Sequence, residues 1–189
     1  MPRSMFVKIV ILYLTWVCTI SARAPDPSFS DGIGNTADGQ SLIKIGEYRY
    51  VYRMFFKLYD VALYSTQGAT LDAILKANIP LKLQFRYLHD INKSIVLKSS
   101  EKILENNLSS NELELIAKRL DRLNTAYRTV KKGDRSSLSY HPETGTTLII
   151  NGAPVITIEG KDFAQLYFKI WLGERPISYS LKDGLLSGQ

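Results

Sequence analysis

An α+β domain with a large, mainly antiparallel sheet packed against helices is the fold class this sequence predicts, and three observations carry the prediction. Leu81–Leu88 alternates apolar and polar residues, as a half-buried strand does, and the run after Gly46 is dense in aromatic and β-branched residues. Two helical stretches then occupy roughly residues 92–132, the second opened by Ser109-x-x-Glu112, a capping box in which each side chain bonds the other's backbone amide. Finally, Asn151-Gly152 ahead of Val155–Ile158 is a strong hairpin signal, and hairpins join antiparallel neighbours. Strands, then helices, then strands and helices again do not fit βαβ alternation.

Taken in order, Leu42–Ile45 and Tyr48–Ser65 read as strands. Thr70 caps a short helix to Ala77, and Pro80 precedes the strand Leu81–Leu88. A helix from about Asn92 to Asn107 follows. The next helix carries Leu113, Ile116, Ala117, Leu120 and Tyr127 at helical spacing, with Lys131 and Lys132 suited to its C-terminal dipole and Gly133 to close it. Ser136–Tyr140, Thr146–Ile150 and Val155–Ile158 are strands. Asp162 opens a helix with Phe163, Leu166, Tyr167, Ile170 and Trp171 on one stripe, ended by Gly173. A last helix covers about Leu181–Leu186.

The first residues stand outside that domain. Arg3 and Lys8 precede a twelve-residue apolar run, Ile9–Ile20, and Ala22-Arg23-Ala24 supplies small residues at cleavage spacing. Twelve residues are short for a membrane span. The expectation is a signal peptide over residues 1–24, a flexible lead-in over 25–40 and one domain over 41–189, exported to the periplasm or secreted, with no stable membrane span after cleavage. The single cysteine, Cys18, falls inside the apolar run, so the remaining chain can form no disulfide and has no thiolate nucleophile. Loss of Arg3, Lys8 and Arg23 lowers the formal charge from +6 to +3, too mild to indicate a nucleic-acid partner.

Motifs for catalysis, cofactors or metals are absent. His89 and His141 have no nucleophile or ligand partner at motif spacing, and no phosphate loop occurs. The expectation is therefore no cofactor and no metal. Function concentrates in the run from Gly46 to Tyr64. Read as one strand, it puts Arg49, Arg53, Lys57 and Tyr59 on the same face as Val51, Phe55, Val61 and Leu63. Cations among apolar groups fit a lined cleft better than a solvated face or a plain core. A half-buried guanidinium needs an anion. Asp60, Glu47 or Asp90 can supply it internally, or a ligand carboxylate can.

Several segments together resemble the bacterial chalcone isomerase-like family. They are Phe56–Tyr64, Phe85–Ile91, Gly133-Asp134-Arg135, Gly145-Thr146, Asn151-Gly152, the helix Asp162–Gly173 and the leucines 181, 185 and 186. The resemblance runs from about residue 41 to the C-terminus and implies the open-faced β-sandwich of chalcone isomerases, with a ligand cleft between sheet and helices. Plant chalcone isomerases use an arginine and a threonine on the strand matching residues 55–64, with a later lysine, tyrosine and asparagine. Here Tyr59 stands at the threonine position, while Tyr87 and Val96 fall near those of the lysine and the helical tyrosine. Only the arginine has a candidate, Arg49 or Arg53. The pattern looks more like the fold's fatty-acid-binding branch, in which an arginine and a tyrosine hold a carboxylate; that comparison carries over Arg49 and Tyr59. The implied function is binding of a fatty acid-like amphipathic ligand. Arg49 and Tyr59 would hold its carboxylate, with Arg53, Phe55, Phe56, Val61, Leu63 and Tyr87 as further candidate ligand residues. One alternative is an isomerase or intramolecular lyase using Arg49 and Tyr59. The other is a structural or partner-binding envelope protein.

Overall fold

The structure is a computed structural model that describes residues 29–33, 41–53 and 55–188. The expected signal peptide lies outside them, as does most of the expected lead-in. One antiparallel sheet of seven strands runs in chain order: β1 (Gly32–Ile33), β2 (Leu42–Tyr52), β3 (Phe56–Thr66), β4 (Leu81–Tyr87), β5 (Arg135–His141), β6 (Gly145–Ile150) and β7 (Ala153–Ile158). Part of the lead-in is thus structured, since β1 pairs with β2 and Phe29 is buried against Leu42, Ala62 and Tyr64.

The helices are α1 (Leu71–Leu75), α2 (Lys93–Asn107), α3 (Ser110–Ala126), α4 (Lys161–Tyr167), α5 (Lys169–Leu172) and α6 (Tyr179–Leu185). Their starts follow the capping chemistry. Thr70, Asn92, Ser109 and Ser178 each accept a hydrogen bond from an amide in the first turn, and the Ser109–Glu112 capping box is complete. The core lies between one face of the sheet and this helical layer. Val61, Leu63, Leu83 and Leu138 from the central strands meet Leu104, Ile116 and Leu123 from α2 and α3, and Phe163, Ile170 and Leu172 from α4 and α5. An α+β, open-faced architecture is what the sequence predicts, and it is what forms.

The single helix expected from Asp162 to Gly173 is divided at Phe168 into α4 and α5, and two further elements differ. The run Tyr48–Ser65 is a hairpin rather than one strand. It reverses at Arg53–Phe55, where Arg53 takes the left-handed conformation at φ 47°, and Tyr52 pairs with Phe56. The strand that starts at Leu42 passes through Gly46 with only a register shift. The second correction concerns α3, which ends at Ala126 instead of near Gly133. Tyr127 is already extended there, and Val130 forms a bridge with Ile91 that fixes the chain beside β4. Gly133 instead closes a turn into β5, its amide donating to the Tyr87 carbonyl. At the far edge, β7 carries Pro154 opposite Ile149, next to a register shift.

Candidate functional site

A register shift within the hairpin, between Tyr50 and Val51, separates residues that a single strand would have joined. Partners across a ladder share a face, and Arg49 faces Asp60, Arg86 and, one strand further, Arg135. Tyr59 belongs to the adjacent row, with Tyr50 and Tyr87, on the opposite face. The expectation that Arg49 and Tyr59 point into one cleft is therefore corrected: the register at the turn would leave them directly opposite each other, and the one-residue shift between Tyr50 and Val51 moves them to opposite faces.

On the face away from the helices, Asp60 is buried and holds two guanidinium groups. Arg49 donates from Nε to Oδ1 at 2.6 Å and from Nη2 to Oδ2 at 3.1 Å; Arg86 donates to Oδ2 from Nε at 3.2 Å and from Nη2 at 2.6 Å. Burial alone would raise the Asp60 carboxyl, but the hydrogen bonds from Arg49 and Arg86 outweigh it and hold it below the ordinary carboxylate range. Arg49 thus has an internal anion, and the fork geometry suits the bidentate bond.

On the helix side, Tyr59 is buried in a layer of aromatic rings. Its ring stacks on Tyr50 with centroids 5.0 Å apart and meets Phe85 edge-on at 5.5 Å, and Phe85 lies 5.6 Å from Trp171. Burial pushes the Tyr59 hydroxyl far up. Tyr87 shares a hydrogen bond of 2.9 Å with Ser136, and the Tyr127 and Tyr167 hydroxyls lie 3.2 Å apart. The Tyr167 hydroxyl is pushed up to about 12, again chiefly by burial. Burial holds these hydroxyls neutral, with Trp171 as the partner of Tyr59, Ser136 of Tyr87 and Tyr167 of Tyr127, so they are not acid–base groups poised near neutrality. Val61 and Leu63 are fully buried core residues, whereas Phe55 and Phe56 are exposed at the hairpin turn and Arg53 lies over the Tyr52 ring. Among the described residues, no cluster of His, Cys, Asp or Glu has the geometry of a metal site, and no helix is long and apolar enough to cross a membrane.

A cleft opens elsewhere, between α1, α4, α5 and α6, with a volume of about 300 Å³. Ile74, Leu75, Leu81, Phe168 and Leu172 form its apolar wall, and Lys169, Lys182 and Glu174 stand at its rim. Lys182 Nζ donates to the Gly173 carbonyl at 2.9 Å, and Lys169 Nζ lies 3.4 Å from Glu112 Oε1. The cleft touches none of the sequence-predicted ligand residues. Its lining comes from segments about a hundred residues apart, each of which reads locally as an ordinary amphipathic helix. Only Lys169 and Lys182, cations beside buried helical positions, could have drawn attention in the sequence.

No curated protein matches the chain significantly. Among solved structures, a fatty-acid binding protein of Arabidopsis thaliana is similar in fold, with a TM-score of 0.58 at 13% identity over 82% of this chain and 95% of that one. That likeness agrees with the antiparallel sheet and one-sided helical layer described above. A family model described as chalcone isomerase-like matches residues 41–187, and the chain belongs to that family.

Proposed function

We propose that this protein is an exported, non-catalytic member of its family that binds a fatty acid or similar amphipathic carboxylate. The observation that carries the reading is the cleft between α1, α4, α5 and α6, where an apolar wall meets Lys182 beside Glu174 and a Lys169 paired with Glu112. An acyl tail suits that wall, and a carboxylate suits Lys182 at the rim. The fold it shares with the Arabidopsis fatty-acid binding protein supports the ligand class, and the leader-like residues 1–24 support export. Arg49, tied to Asp60, and Tyr59, sealed under aromatic rings, are not disposed as a catalytic pair.

The test is native mass spectrometry of the gently purified protein, followed by titration with fatty acids of graded length. A co-purifying or titratable fatty acid is expected. Lys182→Ala should weaken its affinity about tenfold, in line with removing one charge-assisted contact, and Arg49→Ala should leave it unchanged. An empty protein with no measurable affinity would overturn the proposal. It would favour a second reading, a structural or partner-binding role, for which the filled aromatic layer between sheet and helices speaks.

A further inference from the structure

The tip of the β2–β3 hairpin is the most exposed apolar surface among the described residues. Phe55 is 81% exposed, Phe56 56%, Tyr52 45% and Val51 36%. These side chains are left exposed because the hairpin outruns the sheet. The pairs Val51–Lys57 and Tyr52–Phe56 lie beyond Tyr59–Tyr87, the last ladder pair of β3 with β4. Two phenylalanines left in water at a turn gain nothing from folding. An apolar cluster of this kind, standing clear of its own domain, marks a contact with something else.

Its chemistry narrows the occupant. Arg53 and Lys57 are interleaved with the aromatics, and Arg49 lies a few residues along β2. Between Glu47 and Asp60 the sequence contains no acidic residue. The Arg53 guanidinium lies 5.4 Å above the Tyr52 ring, so cation and ring already present one mixed surface. Aromatic residues settle at the headgroup level of a bilayer, and cations beside them favour anionic lipid. A protein-binding patch would gain more from a flat or concave apolar face ringed by both signs of charge. Here a projecting tip carries aromatic rings, Val51 and cations, with no acidic residue between Glu47 and Asp60.

We infer that the hairpin tip, through Val51, Tyr52 and Arg53 and through Phe55, Phe56 and Lys57, is a docking element for an anionic lipid surface, with Phe55 and Phe56 entering the interface and Arg53 and Lys57 meeting the headgroups. The element works without any helix crossing the bilayer, and it does not depend on what the cleft takes. It would bring the cleft of a lipid-binding protein to the surface that holds its ligand, yet vesicle binding and fatty-acid binding remain separate measurements.

The experiment is co-sedimentation of the isolated protein with vesicles of phosphatidylglycerol mixed equally with phosphatidylcholine, against vesicles of phosphatidylcholine alone. Native protein is compared with Phe55→Ser/Phe56→Ser and with Arg53→Glu/Lys57→Glu. Any leader is common to all three, so the differences between them read the tip. The expected result is binding to the anionic vesicles that falls about tenfold or more in each double variant, weakens with salt and is smaller on phosphatidylcholine alone. Circular dichroism should be unchanged, because all four side chains are exposed at the turn. Should a variant unfold, the salt and lipid dependence of the native protein decides by itself. Equal binding by native and folded variant proteins overturns the inference, as does failure of the native protein to bind anionic vesicles. Self-association that needs Phe55 and Phe56 but no lipid also overturns it, in favour of a second copy of the chain.

Discussion

Asp60 is one carboxylate shared by two arginines, on a face of the sheet that the sequence marks only as a run of cations. Its partner Arg49 was legible as a residue needing an anion, and Asp60 was among the internal anions that could provide one. The side of the sheet was not legible, because it depends on the one-residue register shift between Tyr50 and Val51, which no glycine or proline marks. Replacing Asp60 by Asn would leave Arg49 and Arg86 facing each other without their anion, at a cost of about 3 kcal/mol, moderated by solvent around both guanidinium groups. The pH dependence follows from the lowered folded-state carboxyl. Stability from the ionised form is present above the ordinary unfolded value, near pH 4, and is lost as pH falls through the lower folded value. Urea midpoints measured from about pH 7 down to about pH 3 should therefore drop more steeply for the native protein than for Asp60→Asn. Parallel acid limbs would show that Asp60 does not carry the effect.

At the scale of elements, the starts of helices were legible and some ends were not. Thr70, Asn92 and Ser109 announce α1, α2 and α3 through side-chain oxygens that satisfy first-turn amides. No equivalent signal tells α3 to stop at Ala126; a bridge to Ile91, set by tertiary pairing, does so. The β2–β3 turn was hidden for a related reason. It uses Arg53 at positive φ, with no glycine or proline from Glu47 to Gln67 to reveal it. Gly46, by contrast, is explained by a neighbour more than a hundred residues away. A Cβ there would strike the backbone carbonyl of Gly184, and Leu185 O would lie at 2.7 Å, so α6 can seat on β2 only over a bare backbone. Gly46→Ala should destabilise the fold by about 2 kcal/mol and free α6 first. Thermal melts check the size, and faster amide exchange at Leu181 and Leu185 than in β3 checks the location.

At the scale of the whole molecule, strand order equals chain order, which the Asn151-Gly152 hairpin and the alternation of Leu81–Leu88 made partly readable. One step in that order is different. β4 and β5 are ladder neighbours, yet α2 and α3 intervene between them, so their pairing must close a long loop while the other strand pairs join across shorter connections. Leu83 and Leu138 face each other at that seam and are both fully buried. Leu83→Ala and Leu138→Ala should each cost about 3 kcal/mol. Most of that loss should appear as slower folding rather than faster unfolding in stopped-flow chevrons, because the seam is the entropically costly event. Low φ-values at both positions would place the barrier elsewhere. The cleft belongs to this same scale. It exists only once α1, α4, α5 and α6 have met, which is why no short motif foretells it.

The sheet never closes on itself, so its last strand offers a row of backbone groups to any chain that can read them. Pro154 interrupts that row. It has no amide hydrogen to donate, and the register shift beside it bends the strand out of line. A second sheet laid along β7 would meet a missing donor and a mismatched pleat, so edge-to-edge stacking is opposed at this margin of the sheet. An aromatic-rich, disulfide-free domain can thus leave its β7 edge open without offering there a ready template for its own aggregation.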